Sequence, residues 1–220
     1  MPIKYLFFDF DGVILDSEPL YQKYWIEACK ENGFVLSIEQ ELPLRSRDHQ
    51  LTEEYFKSIF GEKADYHKIH DARKRLMGEY LKNHHIPLKD GVKEVFQFIK
   101  KETDLKIAIV TSSPIDYVKL HAGNNNILLY IDKIISVHGL PRGKPFPYVY
   151  LKALEETGFK KEEVLVFEDS PNGVASAFNA GLKVIFVKDL SPADEEIKQK
   201  SIKQLDNISN AIEIIKKYTK

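Results

Sequence analysis

The stretch Leu6-Phe7-Phe8-Asp9-Phe10-Asp11-Gly12-Val13 leaves few folds open. Its opening residues are continuously apolar, the pattern of a strand covered on both faces. The run stops at two aspartates spaced i, i+2, followed by a glycine. Residues two apart on a strand project to one side, so both carboxylates would leave the sheet edge together. Like charges a few ångströms apart are unfavourable unless a cation lies between them or one carboxyl holds its proton. An acidic site at the carboxyl end of a first strand is therefore expected, where open α/β sheets keep their ligands.

The remainder of the chain supplies such a sheet. Apolar runs at 106–110, 133–137, 163–167 and 183–187 alternate with segments of helical spacing, and two charged helices close the chain. This predicts an α/β fold, a doubly wound parallel sheet with helices on both faces. Asp90 is placed to cap a helix carrying Val92, Val95, Phe96 and Ile99. Residues 17–86 read differently, with no strand pattern. Ser17 as N-cap and Pro19 in the first turn open a helix that runs to Gly33. Ser37 and Gln40 form a capping box, Gly61 stops a third helix, and Tyr66 to Leu81 repeats every three or four residues. The expected organisation is a discontinuous core, 1–16 and 87–220, with an inserted four-helix cap domain, 17–86. Both connections of the insert lie beside the acid pair, where a movable lid could cover it.

Composition narrows the partners. The 220 residues are 43% hydrophobic and 30% charged with a net charge of −1, which fits a soluble globular protein and gives no footprint for nucleic acid or a membrane surface. No apolar run approaches the roughly 20 residues that span a bilayer. Cys29 is the single cysteine, so neither an intramolecular disulfide nor a cysteine-only zinc site can form, and a buried thiol is expected. The first strand begins without a basic and apolar leader, so the expected location is cytoplasmic, with the chain a monomer or weak homo-oligomer.

Polar groups punctuate the strand ends: Asp9 and Asp11, then Thr111-Ser112-Ser113, then Lys144 in a loop, then Glu168-Asp169. Singly, each is ordinary turn, cap or loop composition. In a parallel sheet they converge on one edge. Carboxylates suit a hard divalent cation such as Mg²⁺, whereas a hydroxyl, a helix N-terminus and an ammonium suit phosphate. Together they are arranged for phosphoryl transfer.

Asp9-x-Asp11-Gly12-Val13, Thr111-Ser112, Gly143-Lys144-Pro145-x-Pro147 and Glu168-Asp169-Ser170-x-x-Gly173 resemble the four motifs of the haloacid dehalogenase superfamily. The insert is similar to the cap of its phosphoglycolate phosphatase and β-phosphoglucomutase branch. The resemblance implies that Asp9 is the nucleophile and that Asp11 is general acid and then base. It also implies that Mg²⁺ is held by Asp9, the Asp11 carbonyl, Asp169 and Glu168. Thr111 and Ser112 would bind phosphate oxygens, and Lys144 would offset the converging negative charge. Asp11 argues against a dehalogenase, which has no leaving oxygen to protonate. No cap lysine stands out for the Schiff base of a phosphonate-cleaving relative. Ser46-Arg47-Asp48 is similar to the cap segment whose arginine grips the distant phosphate in β-phosphoglucomutase, which makes Arg47 a candidate substrate contact. The histidine of the mutase branch is replaced by Tyr21. Arg45 is expected as a solvated arginine, and His49, His84 and His85 as surface residues. The loop 138–142 has unusual composition and no assigned role.

The expectation is thus a Mg²⁺-dependent phosphatase acting through an aspartyl-phosphate on a small phosphorylated metabolite, a sugar phosphate. The alternative is a β-phosphoglucomutase-like isomerase. A remote alternative is a non-catalytic, phospho-accepting signalling domain, against which the second aspartate and the long insert both count.

Overall fold

The computed structural model describes residues 2–137 and 140–218. β1 (Tyr5–Phe8) is buried along its whole length because it lies inside a six-stranded parallel sheet. β2 (Lys106–Thr111) pairs with it on one side and β4 (Val164–Glu168) on the other. β3 (Lys133–Ser136) lies outside β2, and β5 (Lys183–Val187) and β6 (Lys203–Leu205) lie outside β4. The order is β3-β2-β1-β4-β5-β6. Leaving β1 the chain moves toward β2, and leaving β4 it moves toward β5, so β1 and β4 flank the switch point where such sheets hold ligands. β6 is a strand that periodicity did not show, because three residues are too few to carry an alternating signal.

Alternate residues of the strands feed two hydrophobic layers. Leu6, Phe8, Ile109 and Phe167 pack under α5 (Val92–Glu102), α6 (Ile115–Asn124) and α10 (Ala211–Tyr218). Tyr5, Phe7, Val110 and Val166 pack under α7 (Tyr148–Thr157), α8 (Pro171–Asn179) and α9 (Glu195–Lys200). The chain between β1 and α5 is helical: α1 (Glu18–Glu31), α2 (Ile38–Glu41), α3 (His49–Phe60) and α4 (Tyr66–Leu81). These helices have a hydrophobic cluster of their own, built on Trp25, Cys29, Phe56, Tyr66 and Ile69. The Ser37–Gln40 capping box forms as expected, and Gly61 ends α3.

Two predicted caps are not made. Ser17 accepts nothing from α1: its backbone is already helical at φ −95°, ψ −25°, and its hydroxyl donates to Asp11. Gly91, at φ +91°, precedes α5, so the position held for Asp90 belongs to a left-handed glycine. A Cβ there would lie 2.7 Å from Ser209 Cβ. Two extended segments join the helical insert to the sheet side by side. Asp16 N–H donates to the Pro87 carbonyl at 3.0 Å and Lys89 N–H to the Ile14 carbonyl at 2.9 Å, with Leu15 and Leu88 forming an antiparallel bridge. Among the described residues, no helix is long and apolar enough to cross a membrane.

Candidate active site

Asp9 follows the last residue of β1, and its N–H continues the ladder to the Phe167 carbonyl at 3.0 Å. Gly12 then turns the chain at φ +78° directly against Asp169. A Cβ on residue 12 would lie 2.2 Å from Asp169 Oδ2, so the turn and the carboxylate coexist only with glycine there.

Asp9 Oδ1 accepts from Phe10 N–H at 2.9 Å, and Oδ2 lies 2.8 Å from Lys144 Nζ. That ammonium is also 2.6 Å from Glu168 Oε1, and the Tyr150 hydroxyl donates to the same carboxylate. Lys144 and Glu168 are wholly buried. Such a lysine stays charged only because two carboxylates face it. Burial works against its charge, but the attraction of Asp9 and Glu168 prevails and raises its pKa.

Asp9, Glu168 and Asp169 bring one carboxylate oxygen each within 4.8 Å of one another. Among the described residues, Glu168 Oε2 and Asp169 Oδ1 find no hydrogen-bond partner although both are buried. Burial pushes the Glu168 carboxyl up to about 8, and it also holds that of Asp169 well above the ordinary range. Three clustered acids, two with unsatisfied oxygens and only one cation among them, fit a hard, oxygen-liganded divalent ion.

Asp11 occupies different surroundings two residues away. Oδ1 accepts from Ser17 Oγ at 2.8 Å and from the Tyr117 hydroxyl at 3.1 Å, while Oδ2 accepts from Ser113 Oγ at 2.6 Å. Burial raises its pKa despite the hydroxyls, which favours a held proton. Paired carboxyls with separated environments are how acid and nucleophile roles divide. At the end of β2, Thr111 is buried and its hydroxyl accepts from Ser113 N–H at 3.0 Å, while Ser112 is exposed.

Asp9, Asp11, Thr111 and Ser112 line one side of a cavity of about 530 Å³, and the helical insert supplies the other. Lys144, Glu168 and Asp169 stand behind Asp9 rather than in the wall. The predicted core residues therefore meet at one place. Arg47 reaches the cavity from the opposite wall, its guanidinium 5.2 Å from the centre of the Tyr55 ring. Tyr21 also lines it.

Arg45 is not solvated. It is 3% exposed, 3.5 Å from Glu18 and 3.3 Å from Glu41, and it donates to Ser191 Oγ at 3.3 Å. Its surroundings come from three separate stretches of chain, so local composition carried no sign of them. His49 is exposed as expected, yet it belongs to the cavity wall and pairs with the Tyr66 hydroxyl. His84 stacks on Tyr80 with ring centres 4.0 Å apart, and His85 is exposed. Burial pushes the Cys29 thiol up to about 12. Of the loop 138–142, His138 and Gly139 lie outside the described residues. Arg142 forms an ion pair with Asp48 at 3.0 Å. Tyr117, Tyr150, Glu18 and Asp48 went unnoticed as site residues, and Ser113 was grouped with Thr111 and Ser112 without a role of its own. Only Ser113, adjacent to Thr111-Ser112, had a signal in the sequence.

The chain matches the haloacid dehalogenase-like hydrolase family over residues 6–187. It is similar to the phosphorylated carbohydrates phosphatase of Thermotoga maritima, with 29% identity over 192 residues covering 81% of this chain and 82% of that protein. Hexitol phosphatase B of Escherichia coli K12 is 26% identical over 183 residues, 82% of this chain and 81% of that one. Among solved structures, a provisionally named beta-phosphoglucomutase of Bacteroides vulgatus superposes with a TM-score of 0.84 at 26% identity, covering 100% of this chain and 91% of that one. The chain is an enzyme of the haloacid dehalogenase-like hydrolase family.

Proposed function

We propose that the protein is a phosphatase that hydrolyses a small phosphorylated metabolite, a sugar phosphate, with residues 17–86 as a cap over the core formed by 1–16 and 87–220. The observation that carries this reading is the division of labour between two aspartates. Asp9 is held beside a buried ammonium, whereas Asp11 sits among three hydroxyls with its pKa raised. Asp9 attacks phosphorus, forming a new carboxylate O–P bond as the ester P–O bond breaks. Asp11 delivers its proton to the departing alkoxide oxygen. It then takes a proton from the water that attacks the aspartyl-phosphate, which releases inorganic phosphate and restores Asp9. Thr111 and Ser112 orient the phosphoryl oxygens, and Lys144 offsets the charge that Asp9 and the phosphoryl group bring together. Asp9, Glu168 and Asp169 would hold Mg²⁺, which supplies further neutralisation of the phosphoryl oxygens.

The names of the T. maritima and E. coli relatives support a phosphorylated carbohydrate as substrate. The Bacteroides vulgatus neighbour and the position of Arg47 favour a second reading, a phosphosugar mutase. Tyr21, at the cavity where the mutase branch carries histidine, counts against it. A panel of phosphorylated metabolites, assayed for phosphate release with and without Mg²⁺, tests the proposal. Conversion of β-glucose 1-phosphate to glucose 6-phosphate under a bisphosphate primer, without phosphate release, would replace it with the mutase.

A further inference from the structure

The segment between α2 and α3 touches both polar loops of the core. Asn172, in the first turn of α8 just beyond Glu168 and Asp169, donates to the carbonyls of Pro43 at 3.3 Å and Arg45 at 2.8 Å. At the other end of the segment, Asp48 grips the loop that carries Lys144. Its N–H donates to the Lys144 carbonyl at 2.7 Å, and its Oδ2 accepts from Gly143 N–H at 2.7 Å. Its Oδ1 accepts from Arg142 Nε at 3.2 Å and Nη2 at 3.0 Å. A Cβ on residue 143 would meet the Asp48 Cα at 3.4 Å, so the two backbones lie close together.

Asp48 also caps α3 through Oδ1, which accepts from Gln50 and Leu51 N–H at 3.1 and 3.3 Å. Capping alone requires neither Oδ2 nor the arginine. The second carboxylate oxygen points away from its own helix and into the loop. Past the lysine, two side chains of α8 take over the loop backbone. Asn179 donates to the Pro145 carbonyl at 3.2 Å and Ser176 Oγ to the Phe146 carbonyl at 2.6 Å. Among the described residues, the Lys144 carbonyl and the Gly143 N–H are tied outside the loop by Asp48 alone. Hydrogen bonds to a charged group are stronger than those between neutral groups. The backbone that aims the buried lysine is thus fixed by a residue of the insert.

We propose that Asp48 is a positioning residue: through Arg142 and Gly143 it sets the placement of Lys144, so the ammonium is aligned with Asp9 only while the insert is seated on the core. The role rests on the phosphatase reading, in which Lys144 offsets charge at the reacting phosphoryl group. Closure of the insert and completion of the catalytic set are then one event.

The test uses the full chain with Mg²⁺ and p-nitrophenyl phosphate, comparing wild type with Arg142→Ala, Asp48→Asn and the double variant. Asparagine still caps α3. Hydrogen–deuterium exchange of the peptide covering 140–147 is followed in parallel. Each single variant is expected to lose about 10- to 100-fold in kcat with KM changed less than about 3-fold, the size of effect a small misplacement of a catalytic group produces. The double variant is expected to lose no more than the worse single, because both changes cut one connection. Loop exchange rises about tenfold while β1 and β4 peptides stay protected. Arg142→Lys recovers part of the kcat. Unchanged loop exchange, kcat within about twofold of wild type, or losses that multiply in the double variant overturn the role of Asp48. Wild type unable to release phosphate from any phosphomonoester rejects the phosphatase reading instead, and the exchange experiment still decides whether Asp48 holds the loop.

Discussion

Gly173→Ala sets two physical effects of opposite sign against each other. Residue 173 lies inside α8, where replacing glycine with alanine ordinarily stabilises a helix by about 0.5–1 kcal/mol. Here a Cβ would lie 1.9 Å from Glu168 Oε2, 2.2 Å from its Cδ and 2.6 Å from Oε1. The carboxylate would have to move by more than an ångström. It is wholly buried and pinned by Lys144 at 2.6 Å and by the Tyr150 hydroxyl. Breaking the ion pair with Lys144 and the hydrogen bond from the Tyr150 hydroxyl, about 1.5–3 kcal/mol each, outweighs the helix gain, leaving a net loss of about 2–5 kcal/mol. For a chain of this length that is a drop of about 5–20 °C in Tm. Scanning calorimetry in the presence of chelator measures it. Titration of p-nitrophenyl phosphate hydrolysis with Mg²⁺ should show a rightward shift, since one of the three clustered carboxylates has been moved. A variant that melts at or above wild type with an unchanged Mg²⁺ titration would falsify the view that Glu168 is fixed by this close approach.

Asp9→Asn should lower kcat at least about 10³-fold while leaving the circular dichroism spectrum unchanged, and near-normal turnover would reassign the nucleophile. With chelator present, stability should fall as pH rises. Glu168 has a folded pKa of about 8 against 4.5 for an ordinary glutamate, so its contribution is complete below about pH 4.5 and is lost as pH climbs through 8, by up to about 1.4 kcal/mol per pH unit. Saturating Mg²⁺ should flatten that slope, and a urea midpoint that rises with pH in chelator would contradict the burial of this carboxyl. Cys29, buried in the cluster around Trp25 with its thiol pushed up to about 12, should react with a thiol reagent only after denaturation. Prompt labelling of native protein would show that the insert opens locally.

The sheet and the site's core were legible because both rest on strand ends. Strands covered on both faces announce themselves as apolar runs, and Asp9, Thr111 and Glu168-Asp169 follow such runs directly. Lys144 was legible through its motif alone, as it stands in a loop. The partners that set the site's electrostatics were not legible. Tyr150 and Tyr117 lie on α7 and α6, where an aromatic at helical spacing reads as core. Tyr150 is indeed core, and only its hydroxyl reveals the contact with Glu168. Glu18, Glu41 and Arg45 are buried together, but burial of a charge depends on partners distant in the chain, which spacing does not encode. The Ser17 expectation failed for a different reason. Capping needs an extended backbone at the first position, and Ser17 is helical there, with its hydroxyl donating to Asp11.

The paired segments 14–16 and 87–89 also limit how the helices can travel. Two neighbouring segments linked by their own amides resist sliding past each other, so a movement of the helices would have to bend along their shared line. A bend along that line would lift Asp48 off the backbone of Gly143 and Lys144, and the reverse bend would return it there.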